Sequence, residues 1–167
     1  MHKIFGFIVL LLLFSCDKEK EVRTASLQPP LVTGFLFRDF YGNPIQQVGN
    51  PNVKTEGTDA AGYRSYMTVY PNPVRDKAQV TFYSPTPAGK KSLWIVAGLQ
   101  DQNLNSHNFM QASFPQIGGQ PLLKIDLEPD AQSRVLTLNL DNFPAGAYRV
   151  YLQLGDLLLW DNILKTN

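Results

Sequence analysis

The sequence predicts an all-β protein, an antiparallel β-sandwich. Three observations lead there. No stretch carries an apolar stripe at helical spacing over three turns. From residue 31 onward, short runs of alternating character recur, bounded by Gly, Pro, Asn and Asp, as stacked strands joined by tight turns require. Hydrophobic residues make up 44% and charged residues 17% of the 167 positions, against about 25% charged in an ordinary soluble domain. That balance supplies a core and excludes global disorder.

Each element follows from its own pattern. Residues 31–38 read as a strand, with Phe35 and Phe37 on one side and Leu36 on the other. Tyr41-Gly42-Asn43-Pro44 is a turn cluster, and residues 45–48 are its hairpin return. Residues 49–62 read as loop, through Asn50-Pro51-Asn52 and Asp59-Ala60-Ala61-Gly62. Residues 63–70 form a strand that stops at Pro71-Asn72-Pro73. Residues 78–84 place Val80 and Phe82 on one face. Residues 92–99 are apolar on both faces, which predicts a central strand covered twice. A short strand spans 122–127. In 134–140, Leu136, Leu138 and Leu140 alternate inward. In 147–154, Tyr148, Val150, Leu152 and Leu154 do the same. Residues 157–164 close the chain, and Gly155-Asp156 is a two-residue link suited to a tight hairpin.

A family resemblance covers residues 69–165. It rests on Val69-Tyr70-Pro71-Asn72-Pro73-Val74 followed by Asp76-Lys77-Ala78-Gln79-Val80-Thr81-Phe82. It rests equally on Leu138-Asn139-Leu140, on Phe143-Pro144-Ala145-Gly146-Ala147-Tyr148-Arg149-Val150, and on a last strand ending near Lys165. This order resembles the C-terminal sorting domain of the Bacteroidota type IX secretion system. The resemblance implies an immunoglobulin-like β-sandwich of about seven strands. The residues read the same way without it. Pro71 and Pro73 have no amide proton to give a ladder, so they hold the chain outside a sheet. Asn72, preceding a proline, is biased to extended geometry. Tyr148 follows the Gly146 corner and is placed to return its hydroxyl to the corner backbone, a structural role. Pro71, Asn72, Pro73, Gly146 and Tyr148 are therefore the structural motif. The chain departs from the family in its first residues and in a longer 100–133 connection, which reads as an inserted loop. Residues 31–68 are too short for a separate enzyme domain and are expected to add strands to the same body.

The first residues read as an address. Met1-His2-Lys3 precedes a charge-free run over 4–14. That run suits a signal-peptide core but is too short for a membrane span of about 20 residues. Leu13-Phe14-Ser15-Cys16 resembles the lipobox of bacterial lipoproteins, and Cys16 is the only cysteine. The resemblance implies cleavage after residue 15 and acylation of Cys16, with each buried methylene contributing about 0.8 kcal/mol to anchoring. Residues 1–15 are thus the expected signal peptide, 16–30 a lipid-anchored tether and 31–167 the sandwich. Asp17-Lys18-Glu19-Lys20-Glu21 has no apolar partner and stays solvated. It reads either as plain linker or, by resemblance to acidic export signals of Bacteroidota lipoproteins, as routing to the cell surface.

Chemistry is sparse. One cysteine excludes an internal disulfide framework and any multi-cysteine metal site. A formal net charge of +1 gives no basic field for nucleic acid. A Ser-His-Asp triad would have to use His107, which sits in the polar Asn105-Ser106-His107-Asn108. Asp126, Glu128 and Asp130 alternate around Pro129 and were they gathered would offer oxygen ligands to Ca²⁺, yet acids at a strand end are ordinarily solvated. Gly118-Gly119 lies in no phosphate-binding context. No enzyme, cofactor or metal is implied.

Aromatic residues remain: 10 Phe, 7 Tyr and 2 Trp. Tyr63 and Tyr66, three apart, cannot share a strand face, and Trp160 breaks the alternation of the last strand. Tyr41, Tyr63, Tyr66 and Trp160 are the candidate contacts to a partner or ligand, although a covering layer would equally account for Trp160. The expected function is that of a non-enzymatic outer-membrane lipoprotein, held to the membrane by its lipid anchor. It would act as an accessory subunit touching an outer-membrane protein in transport, assembly or secretion. The alternatives are a surface glycan-binding or adhesin module, and cargo carrying a type IX sorting domain.

Overall fold

The computed structural model describes residues 28–85, 89–101 and 118–167. The expectations for the signal peptide, Cys16, the acidic run and His107 lie outside these residues.

Period-two patterning builds two four-stranded antiparallel sheets. The first has the order β10 (Ser133–Asn139), β6 (Lys77–Tyr83), β5 (Arg64–Tyr70), β4 (Glu56–Thr58). Met67, Val69, Ala78, Val80, Phe82 and Leu138 are its inward residues and all are buried. The second has the order β12 (Leu157–Lys165), β11 (Gly146–Leu154), β7 (Lys91–Ala97), β9 (Pro121–Leu127). Leu93, Ile95, Val150, Leu152, Leu159 and Ile163 face the first sheet, and the two sets interlock in one core. The architecture is thus all-β, two antiparallel sheets face to face. Gly155, at φ 64°, turns the hairpin in which Leu154 pairs with Leu157, as the two-residue link predicts.

A third layer lies on the outer face of the second sheet. β1 (Leu31–Val32) pairs in parallel with β8 (Leu99–Gln100), and β2 (Gly34–Arg38) forms a hairpin with β3 (Pro44–Gly49). Val32 and Phe35 bury themselves against Ala147 of β11, each contributing about 1.5–3 kcal/mol. This explains why β11 and β12 are apolar or buried on both faces. The single strand expected at 31–38 is broken at Thr33, whose hydroxyl donates to Asn50 O at 2.6 Å and whose carbonyl accepts Asn50 N. The loop expected at 49–62 contains β4, so that reading is corrected. A three-residue strand carries too little alternation to be seen in isolation, and its pairing with β5 is what defines it.

The free edge of β12 is closed by pieces that are not strands. Trp160 exchanges both backbone bonds with Lys54, at 2.9 and 2.8 Å. Val74 accepts from Thr166 N and donates to Leu164 O. Between them the side chain of Asn72 takes over the ladder. Its amide donates to Asn162 O at 2.9 Å and its carbonyl oxygen accepts Leu164 N at 3.0 Å. The same amide donates to Leu36 O at 2.8 Å, while the Asn72 backbone pairs reciprocally with Arg38. Both Tyr70–Pro71 and Asn72–Pro73 are cis. On the neighbouring strand, where Tyr148 pairs with Ile163, the Tyr148 hydroxyl donates to Pro144 O at 2.6 Å, the structural role its position predicts, and burial pushes that hydroxyl above its ordinary pKa.

Candidate interaction surface

Two turns are built from one recipe. In Asp39-Phe40-Tyr41-Gly42-Asn43, one carboxylate oxygen of Asp39 accepts the amides of Tyr41 and Asn43, at 2.8 and 2.9 Å. The other oxygen accepts the Asn43 side chain at 3.0 Å. In Asp59-Ala60-Ala61-Gly62-Tyr63, Asp59 accepts the amides of Ala61 and Tyr63 in the same way. Gly42 and Gly62 take φ of 87° and 88°, values that favour glycine. The Asn43 side chain holds the Asp39 carboxyl below its ordinary pKa despite some desolvation, with backbone amides assisting.

The first turn is a presented tip. Phe40 is 79% and Tyr41 86% exposed, although the turn beneath them is held by bonds from the amides of Tyr41, Gly42 and Asn43 to Asp39 and from the Asp39 amide to Asn43 O. Gly42 rests against the Tyr70 ring, where a Cβ would approach to 3.2 Å. Behind Phe40 opens a groove of about 520 Å³ lined by Pro71, Pro73, Arg75, Asp76, Lys77 and Thr166. Aromatic, proline and charged groups of both signs thus line one groove.

The other predicted contacts are dispersed. Tyr63 ends the second turn, 52% exposed. Tyr66 stands on the solvent face of β5 and stacks on Tyr83 of β6, with centroids 5.6 Å apart. Trp160 lies under the 52–54 segment. Its ring N–H donates to Asn52 O at 2.8 Å, and the Lys54 ammonium sits 5.8 Å from the ring centroid. A covering segment, rather than exposure, accounts for its broken alternation. Tyr83 and Phe40 were not singled out by the sequence. Tyr83 gains meaning only through the register that sets it opposite Tyr66, whereas Phe40 is an apolar residue immediately before the Tyr41-Gly42-Asn43-Pro44 turn cluster.

Polar groups buried between the second sheet and the third layer are structural. Arg149 donates to Asn162 Oδ1, Asn52 Oδ1 and Leu31 O, each at 2.8 Å. Asn162 donates onward to Gly34 O and Asn52 Oδ1. Burial lowers the Arg149 pKa, with Tyr151 and Asp161 opposing. On the other side of β12, the side of Leu159 and Ile163, Asp161 is fully buried and meets Arg38 at 2.7 Å, and the Arg38 guanidinium also donates to Val69 O. Burial raises its carboxyl pKa and the Arg38 charge counters. Asp126 pairs with Lys124 at 3.3 Å. Among the described residues no three His, Cys, Asp or Glu gather closely enough to hold a metal, and no helix is long and apolar enough to cross a membrane. Comparisons with protein families, with curated proteins and with solved structures return no match for this chain.

Proposed function

We propose that this protein is a non-enzymatic lipoprotein of the bacterial outer membrane, anchored through acylated Cys16 and facing the cell surface. It serves as an accessory subunit that grips a neighbouring outer-membrane protein through its Phe40–Tyr41 tip. The observation that carries the reading is that tip: two aromatic rings, 79% and 86% exposed, on a turn held by Asp39. Exposed aromatics on an ordered backbone are the anchors of protein interfaces, because little entropy is lost when they dock.

An immunoglobulin-like body fits this role. Taking β5, β6, β7, β9, β10, β11 and β12 as seven successive strands, the first, second and fifth share one sheet. The third, fourth, sixth and seventh share the other. The tyrosine corner sits at the start of the sixth. The type IX sorting-domain resemblance points to the same body. Val69, where that resemblance begins, lies inside β5, and the third layer is packed onto β11 and β12. Residues before the resemblance are built into the module, which favours a retained subunit over cargo with a detachable sorting tag.

The test combines anchoring with capture. The tagged chain, extracted in mild detergent, is expected to bring down one envelope protein in stoichiometric amount. Phe40→Ser with Tyr41→Ser should release it without moving the thermal transition. Cys16→Ser should lose labelled fatty acid and leave the membrane fraction. An unmodified Cys16 thiol by mass spectrometry, or a free monomer recovered repeatedly, would overturn the proposal.

A further inference from the structure

The solvent face of the first sheet is a surface of unusual chemistry. Cross-strand register sets its residues in rows. Tyr66 stands opposite Tyr83, Thr68 opposite Thr81, and Tyr70 opposite Gln79. The rows run about 14 Å along the strands, at roughly 3.4 Å per residue. No outward position within this field is charged, nor are the outward positions Ser133, Val135 and Thr137 that continue it on β10. Charge begins at its border: Glu56 of β4 stands directly opposite Tyr66 and pairs with Arg64 at 2.6 Å, and Lys77 lies beyond Gln79 along β6. A solvent-facing sheet ordinarily mixes charges of both signs for solubility. This one offers hydroxyls, an amide and aromatic rings instead.

The rings are also held in place. Tyr66 and Tyr83 stack at 5.6 Å with 27° between their planes, each half-exposed. The Tyr70 hydroxyl bonds the Thr81 hydroxyl at 2.9 Å, which draws the ring across the sheet toward its diagonal neighbour, and Gly42 packs on that ring. Ordered rings lose little rotamer freedom when a ligand arrives.

From this we propose that the outward face formed by β5, β6 and β10 binds an uncharged saccharide chain. Sugar C–H faces lie on the rings of Tyr66 and Tyr83, and sugar hydroxyls exchange hydrogen bonds with Thr68, Thr81 and Gln79. The match is one of charge and polarity. A neutral, amphipathic chain needs apolar faces and neutral donors and acceptors together, whereas an anionic glycan needs cations that this field lacks. The sugar contacts named here include neither Phe40 nor Tyr41 and do not depend on the anchor.

The test uses the full chain in detergent micelles, titrated with neutral cello-, malto-, xylo- and manno-oligosaccharides, and with sulfated and sialylated glycans for comparison. Binding to at least one neutral oligosaccharide is expected, unchanged by added salt. Tyr66→Ala and Tyr83→Ala should each weaken it about tenfold. Gln79→Ala, an exposed position where unfolding is no concern, should weaken it several-fold, while Arg64→Ala and the Phe40/Tyr41 double variant leave it intact. The proposal is overturned if no neutral oligosaccharide binds, if the charged glycans bind instead, or if the tyrosine variants keep wild-type affinity. It is equally overturned if those variants release a protein partner while no sugar binds. Failure of Cys16 acylation would sink the anchoring reading and leave this one standing.

Discussion

Asn72 shows how much one side chain carries. It is fully buried, and its amide group satisfies Leu36 O, Asn162 O and Leu164 N at once. Removing it leaves two acceptors and one donor without partners, each costing about 1–3 kcal/mol when buried. Asn72→Ala is therefore expected to lose about 3 kcal/mol, lowering the thermal midpoint by roughly 6–12 °C. Asn72→Asp can still accept from Leu164 but cannot donate, so it should also lose most of that stability. A midpoint within about 2 °C of wild type for both variants would contradict this account. Sequence reasoning placed Asn72 in a structural motif from its flanking prolines, but it had no means of seeing the three partners. They lie 36, 90 and 92 positions away, and only the folded register brings them together.

At the scale of elements, the turn at Asp39 makes a sharp pH prediction. Its carboxyl is held below the ordinary value by bonds made in the folded turn. The folded pKa is depressed, so the turn's stabilisation is present above the unfolded value of about 3.9 and is lost as pH falls through the lower folded pKa. Amide resonances of Tyr41 and Asn43 should shift together below that value while those of β11 hold. Independent titration of the two amides would argue against a shared carboxylate. Legibility differed among the elements for physical reasons. β5, β6, β10, β11 and β12 alternate between core and solvent or between two cores, so period-two patterning announced them. β4 has three residues and borrows its order from β5. The outward row of tyrosines and threonines was illegible because side-chain alternation states which residues point out, not which ones stand beside each other. Tyr66 was picked as a contact and Tyr83 was not, although register makes them one feature.

For the molecule as a whole, the third layer governs cooperativity. Arg149 and Asn162 find their partners in Leu31, Gly34 and Asn52. A chain beginning at residue 51 would lose Leu31 and Gly34 as acceptors and bare the face that Val32 and Phe35 cover. The fully buried Asp161 would also lose Arg38, and a buried charge stripped of its ion-pair partner is strongly destabilising. Such a truncation is expected to aggregate or to lose its single sharp thermal transition, whereas a monomeric, cooperatively melting product would refute the three-layer account. Beyond β4 and the start of β5, which join the first sheet, residues 31–68 supply β1, β2 and β3. Their arrangement as a lid on the second sheet was not legible, because the sequence shows that β11 and β12 are apolar on two sides without naming what lies over them.

The run from Leu31 to Arg38 has one further consequence. It joins the body at one end and delivers the Phe40–Tyr41 turn at the other, so its eight residues span at most about 26 Å. If Cys16 is the mooring, this run is a built-in ruler. It holds the aromatic pair at a set standoff from the place where the leash attaches, and lengthening or shortening it by two residues would change the reach while preserving which side chains face inward.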